Sequence, residues 1–167
     1  PDVLHALAIL FAQTGNSAES LTLVRQALEL HPQHPAFLNT LGNLYLRAGK
    51  INDSIDTFKQ AINAAPTAAA AYVNLGNAYR KAGDTDKAID EYTHAITHNK
   101  KHIDAHYNLA LCFIEKEAWD LAIHELKAAL LYSPKHPAAH GQIAQVFLQV
   151  GNYDKAIIHF KKRLQMQ

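Results

Sequence analysis

The chain has 167 residues, of which 49% are apolar and 19% charged, a balance that excludes extensive disorder. Sixteen Lys+Arg against fifteen Asp+Glu leave a net charge of +1, too even for a protein whose main partner is nucleic acid. The single cysteine, Cys112, excludes an intrachain disulfide and fits a reducing, cytoplasmic setting, and no apolar run reaches the ~20 residues that membrane insertion needs. Twenty-eight alanines against five valines favour helices over strands, because Ala loses no side-chain entropy on entering a helix. The start at Pro1, without a signal-like segment, sets the expectation of a piece of a longer chain.

One pattern recurs every 34 residues and divides the chain into repeats 1–34, 35–68, 69–102, 103–136 and 137–167. The first repeat predicts a helix through Leu4, Leu7 and Phe11, and a second through Ser20, Leu21, Val24, Ala27 and Leu28. The second repeat restates it with Leu38, Leu41 and Tyr45, then Ser54, Phe58, Ala61 and Ile62. In the third the columns read Tyr72, Leu75 and Tyr79, then Ala88, Tyr92, Ala95 and Ile96. His106, Leu109 and Phe113 open the fourth, with Ala122, Leu126, Ala129 and Leu130 behind them. His140, Ile143 and Phe147, then Ala156, Phe160 and Leu164, complete the fifth. Small residues let the two helix backbones approach, and large ones fill the grooves between them. Six of the seven glycines fall at repeat positions 8 and 15, and position 15 (Gly15, Gly49, Gly83, Gly151) suits the left-handed residue that ends a helix. All six prolines mark the ends of the helical pairs. Glu117 replaces the fourth turn glycine, so a slightly different turn is expected beside Trp119. Lys100 replaces a proline and Arg163 an alanine.

These columns resemble the tetratricopeptide repeat family over essentially the whole chain. The resemblance implies an all-α, right-handed superhelical solenoid of antiparallel helix-turn-helix units, one domain over 1–167, with a concave and a convex face. No solubilising cap follows Leu164 and Met166, which again sets the expectation that the parent chain continues.

No catalytic constellation is present, so neither an enzyme nor a cofactor is expected. There is no Gly-rich phosphate loop, no Gly-x-Ser-x-Gly and no His-Glu-x-x-His. Cys112 sits beside the aromatic column of a first helix and reads as a small buried thiol. Eleven histidines include the four-spaced His98, His102 and His106, but the repeat frame scatters them. His98 closes a helix, His102 lies in a linker and His106 fills the position-4 aromatic slot, an arrangement echoed by His136 and His140. They read as linker polarity and aromatic substitutes, and no metal site is expected. Asn52-Asp53-Ser54 matches a glycosylation sequon by chance.

In the family, positions 2, 5, 6, 9, 12 and 13 of the first helices line the inner groove. Carried onto this sequence, they place Asn39, Asn43 and Arg47, then Asn74, Asn77, Arg80 and Lys81, then Tyr107 and Asn108, then Gln142 and Gln145 on that face, with Leu46, Val73, Leu111, Ile114, Leu148 and Gln149 among them. A carboxamide offers a donor and an acceptor together, so it can pair with the backbone of an extended peptide, or else bridge neighbouring helices. The expected partner is therefore a peptide segment or helix of another protein, with an acidic segment favoured by Arg47, Arg80 and Lys81. Co-chaperone members clamp a terminal carboxylate with cations around two asparagines. Asn43 and Asn74 match those asparagines, but Asn39, Asp104 and Asn108 stand where cations are required. One register later Asn77 and Asn108 match, but Val73, Ala138 and Gln142 do not, so no such clamp is expected. The alternative is the substrate-recognition region of a larger transferase, since Asn74-Leu75 and Asn108-Leu109 resemble the repeats that precede O-linked sugar transferase domains.

Overall fold

The structure is a computed structural model and describes residues 1–166. It contains α1 (Asp2–Gln13), α2 (Ser17–Leu30), α3 (Pro35–Arg47), α4 (Ile51–Ala64), α5 (Ala69–Ala82), α6 (Thr85–His98), α7 (Ile103–Glu115), α8 (Trp119–Tyr132), α9 (Pro137–Gln149) and α10 (Tyr153–Leu164). No strand occurs among the described residues. The fold is all-α, two helices per 34-residue repeat, as the apolar columns require. The chain packs as two compact units, Pro1–Lys87 and the residues from Ala88 on, with the division falling inside α6.

Each helical pair turns in the same way. The amide of position 16 donates to the carbonyl of position 11: Asn16 to Phe11 at 2.8 Å, Lys50 to Tyr45 at 2.9 Å, Asp84 to Tyr79 at 2.9 Å and Asn152 to Phe147 at 2.8 Å. This closure needs a left-handed residue between, and the glycines at position 15 supply it with φ between 74° (Gly151) and 89° (Gly15). The different turn expected at Glu117 is not found. Ala118 donates to Phe113 at 2.8 Å like its counterparts, and Glu117 itself adopts φ 56°. Flanking packing imposes the turn, and the glutamate carries the strain.

In the first unit α1 packs on α2, α2 on α3, α3 on α4 and α4 on α5. Val24 and Ala27 of α2 join Phe37 and Leu44 of α3 in one buried cluster, and Ala61 of α4 joins Leu38 and Ala71 in the next. Gly42 is required by close approach: a Cβ there would lie 2.5 Å from the Phe58 ring. The second unit repeats the scheme, with α7 on α8, α8 on α9 and α9 on α10. Leu126, Ile143, Val146 and Phe147 form its core.

Polar aromatics at position 4 tie each of the last three repeats to the linker before it. Tyr72 Oη donates to the Pro66 carbonyl at 2.9 Å, and the Nε2 atoms of His106 and His140 donate to Lys100 and Pro134 at 3.0 Å. Two linker histidines cap helices: Nδ1 of His102 accepts from the Ala105 amide at 3.4 Å, and that of His136 from Ala139 at 3.1 Å. His34 holds the equivalent place before α3 and stacks on Phe37 at 3.9 Å.

Candidate functional site

The candidate site lies on the first helices α3, α5, α7 and α9, each of which commits part of its surface to the core and leaves the rest open. In the first unit, residues 35 apart in sequence meet across neighbouring first helices. Asn74 Nδ2 donates to Asn39 Oδ1 at 2.8 Å, and His5 Nε2 lies 2.8 Å from Thr40 Oγ1. Arg47 Nη1 donates to the Ala12 carbonyl at 2.7 Å, and Lys81 Nζ to that of Leu46 at 3.0 Å. The last carbonyls of a helix lack intrahelical donors, so these cations cap the preceding first helix while their charges stay exposed. The Asn74–Asn39 bond uses one atom of each carboxamide. The Asn74 oxygen keeps its acceptor capacity and the Asn39 amide nitrogen its donor capacity. Asn43, Asn77 and Arg80 are half-buried on the same face, and neither Asn77 nor Arg80 is unpartnered.

In the second unit the end of α7, the first residue of α8 and one face of α9 line a pocket of about 270 Å³. Ile114, Trp119, Val146 and Leu148 give it apolar walls, and Gln142, Gln145 and Gln149 ring it with carboxamides. Tyr107 does not line it. Its ring lies 5.1 Å from His136, over the start of α9. Asn108 is half-buried, does not line the pocket and is not unpartnered.

His106, His124, His140 and His159 have structural partners. His106 Nδ1 donates to Glu125 Oε2 at 2.6 Å, and His124 Nδ1 lies 2.8 Å from Oε1 of the same carboxylate. The Glu125 bond raises the His106 pKa against the opposing effect of burial. Burial alone would raise Glu125, but hydrogen bonds from His106 and His124 hold it below the usual carboxylate range. In the last repeat burial and the neighbouring His140, Lys162 and Lys127 lower His159 to about 4.

Family models of the tetratricopeptide repeat match residues 5–69 and 39–99, and residues 79–131 and 114–163. The chain belongs to the tetratricopeptide repeat (TPR) family. No curated protein matches the sequence significantly. Among solved structures, MamA is similar at 27% identity, with a TM-score of 0.83 over 95% of this chain and 93% of that one. A thermophilic TPR protein from Thermus thermophilus shows 24% identity, a TM-score of 0.80 and coverage of 99% and 90%. YrrB, a TPR protein with an unusual peptide-binding site, shows 20% identity, a TM-score of 0.74 and coverage of 98% and 84%. The last two likenesses establish the TPR fold alone.

The TPR frame marked the groove positions but not Trp119, which lies at position 17, outside the inner set. Its signal was the single Trp of the chain, placed two residues after the glutamate that replaces a turn glycine. Among the described residues no helix is long and apolar enough to cross a membrane.

Proposed function

We propose that this TPR protein is a non-enzymatic scaffold that holds a peptide segment of a partner protein against its first helices. The α9 pocket carries the reading: an apolar floor with a carboxamide rim suits an extended segment that inserts one apolar side chain. Gln142, Gln145 and Gln149 then pair with the segment's backbone. On the first unit Asn39, Asn43, Asn74 and Asn77 offer the same chemistry, and the exposed charges of Arg47 and Lys81 favour acidic residues nearby. YrrB's peptide-binding site gives this use of the fold a precedent.

Selection of a displayed peptide library against the whole chain tests the proposal. Selected peptides should share an apolar anchor. Their affinity should fall at least ~30-fold with Trp119→Ala, the loss expected of a buried aromatic anchor of about 2 kcal/mol. Gln142→Ala or Gln145→Ala, each removing one neutral hydrogen bond, should cost roughly 2- to 12-fold. Peptides that bind equally well to all three variants, with helicity intact, would place the site elsewhere.

A further inference from the structure

The fourth repeat departs from the other four on the exposed face of its second helix. Position 19 is Glu19, Asp53, Lys87 and Lys155 elsewhere but Leu121 on α8. Position 29 is Glu29, Asn63, Thr97 and Gln165 elsewhere but Leu131 on α8. Between them Ala128 stands at position 26, which is otherwise Gln, His or Lys. Spacings of seven and ten residues set the three within roughly a quarter of the helix circumference. They lie away from Ala122, Leu126 and Ala129, the buried residues that α8 commits to the core. Leu121 and Leu131 are 53% and 71% exposed, and Tyr132, also exposed, widens the stripe. His124 interrupts it and keeps its Nδ1 on Glu125. Repeats precede and follow α8 in the sequence, so no chain end accounts for this exposure.

Charge makes the face complementary to itself. Asp120 and Lys127, both exposed, run along one edge of the stripe seven residues apart. Two copies of α8 laid antiparallel about a twofold axis bring that edge against itself in reverse. Asp120 of each copy then comes within side-chain reach of Lys127 of the other, Leu121 lies near Leu131, and the small Ala128 leaves room for the helices to approach. A parallel arrangement would instead set Asp120 against Asp120 and Lys127 against Lys127. The occupant that this pattern fits is a second copy of the chain.

We propose that α8 is a homodimerisation face, pairing antiparallel with α8 of a second copy through Leu121, Ala128 and Leu131. The interface is isologous, so association stops at the dimer. A helix of 14 residues is about 21 Å long, which makes the contact small and places it among weak, concentration-dependent interfaces.

Sedimentation equilibrium of the whole chain across a concentration series tests it. The mass should rise from 18.5 kDa towards twice that value and no further. The double variant Leu121→Gln/Leu131→Gln, at exposed sites that leave the helical signal intact, should stay monomeric. Asp120→Lys and Lys127→Asp each set like charges together, and at low salt each should weaken the dimer by roughly 2- to 5-fold for every pair lost. Mixed in equal amounts the two should recover the wild-type affinity, because every pair in the mixed dimer is again opposite in sign. A wild type that stays monomeric at its highest soluble concentration overturns the proposal, as does association that survives the double leucine variant. A mixture of the charge variants no tighter than either alone overturns the antiparallel pairing.

Discussion

The rings of His140 and His159 meet through their Nδ1 atoms, 2.8 Å apart. His140 must donate from Nε2 to the Pro134 carbonyl, so in its neutral form its Nδ1 can only accept. His159 is then the donor. Burial of the His159 ring, together with the neighbouring His140, Lys162 and Lys127, disfavours a second proton on it. His159 is accordingly lowered to about 4 from an ordinary 6.5. Between those values the unfolded chain binds the proton and the folded chain does not, so stability drops as pH falls from 6.5 towards 4. Urea unfolding at pH 7 and pH 5 should show a lower midpoint at pH 5, with Lys162→Gln narrowing the difference. Equal midpoints, once the other histidine contributions are subtracted with His159→Phe, would contradict the assigned proton.

His106 stands one repeat earlier where His140 does, and there the place of His159 is taken by a carboxylate, Glu125. The His106 pKa is raised, so its contribution is complete below 6.5 and fades as pH climbs through the higher folded value. Glu125 is depressed, so its contribution is complete above 4.5 and is lost as pH falls through the lower folded value. The pair is strongest between the two. Glu125→Gln should therefore destabilise the protein more at pH 6 than at pH 8.5, measured by thermal melts. An equal loss at both would mean that His106 stays neutral.

Glu117 is the one non-glycine residue with positive φ among those described. A left-handed conformation costs an L-residue about 1–2 kcal/mol, a cost that glycine avoids. Glu117→Gly should raise stability by about 1 kcal/mol while leaving the Ala118–Phe113 closure in place. Glu117→Val should lower it, because a β-branched side chain tolerates that region least. The sign of the two shifts in denaturant midpoint checks the assignment.

Much of this fold was readable in the columns, since burial of Ala27, Phe58, Tyr92 and Leu126 follows from a 34-residue period and helical spacing alone. What the columns hide is where a polar atom finds its partner. Arg47 and Lys81 looked like free groove cations, but the 35-residue offset between neighbouring first helices turns them onto the carbonyls of Ala12 and Leu46. That offset is a property of packing, not of local sequence. His102 and His136 looked like linker polarity, and their capping role needed the backbone angle at the helix start. Trp119 was visible as a residue and invisible as a wall, because the pocket joins the end of α7 and the start of α8 to α9, across separate elements.

Position 20 offers a paired test of what a buried hydroxyl contributes. Ser20 and Ser54 are both fully buried at the same place in successive repeats, facing the first helix of their own pair. Ser20 Oγ donates to the Ala8 carbonyl at 2.7 Å, whereas Ser54 Oγ has no partner. Every later repeat carries alanine there, as Ala88, Ala122 and Ala156, so the cavity accepts a methyl group without rearrangement. Ser20→Ala removes a satisfied bond and should cost about 0.5–1.5 kcal/mol. Ser54→Ala removes only an unpaired polar atom, whose burial carries a penalty of about 1–3 kcal/mol, and should leave stability unchanged or higher. Because the two sites share burial, helix and neighbour type, context cancels in the comparison. Denaturant melts of both variants read the difference directly, and a cost for Ser54→Ala matching that of Ser20→Ala would mean that Ser54 bonds in solution, with the Gly42 carbonyl as the acceptor at the equivalent position.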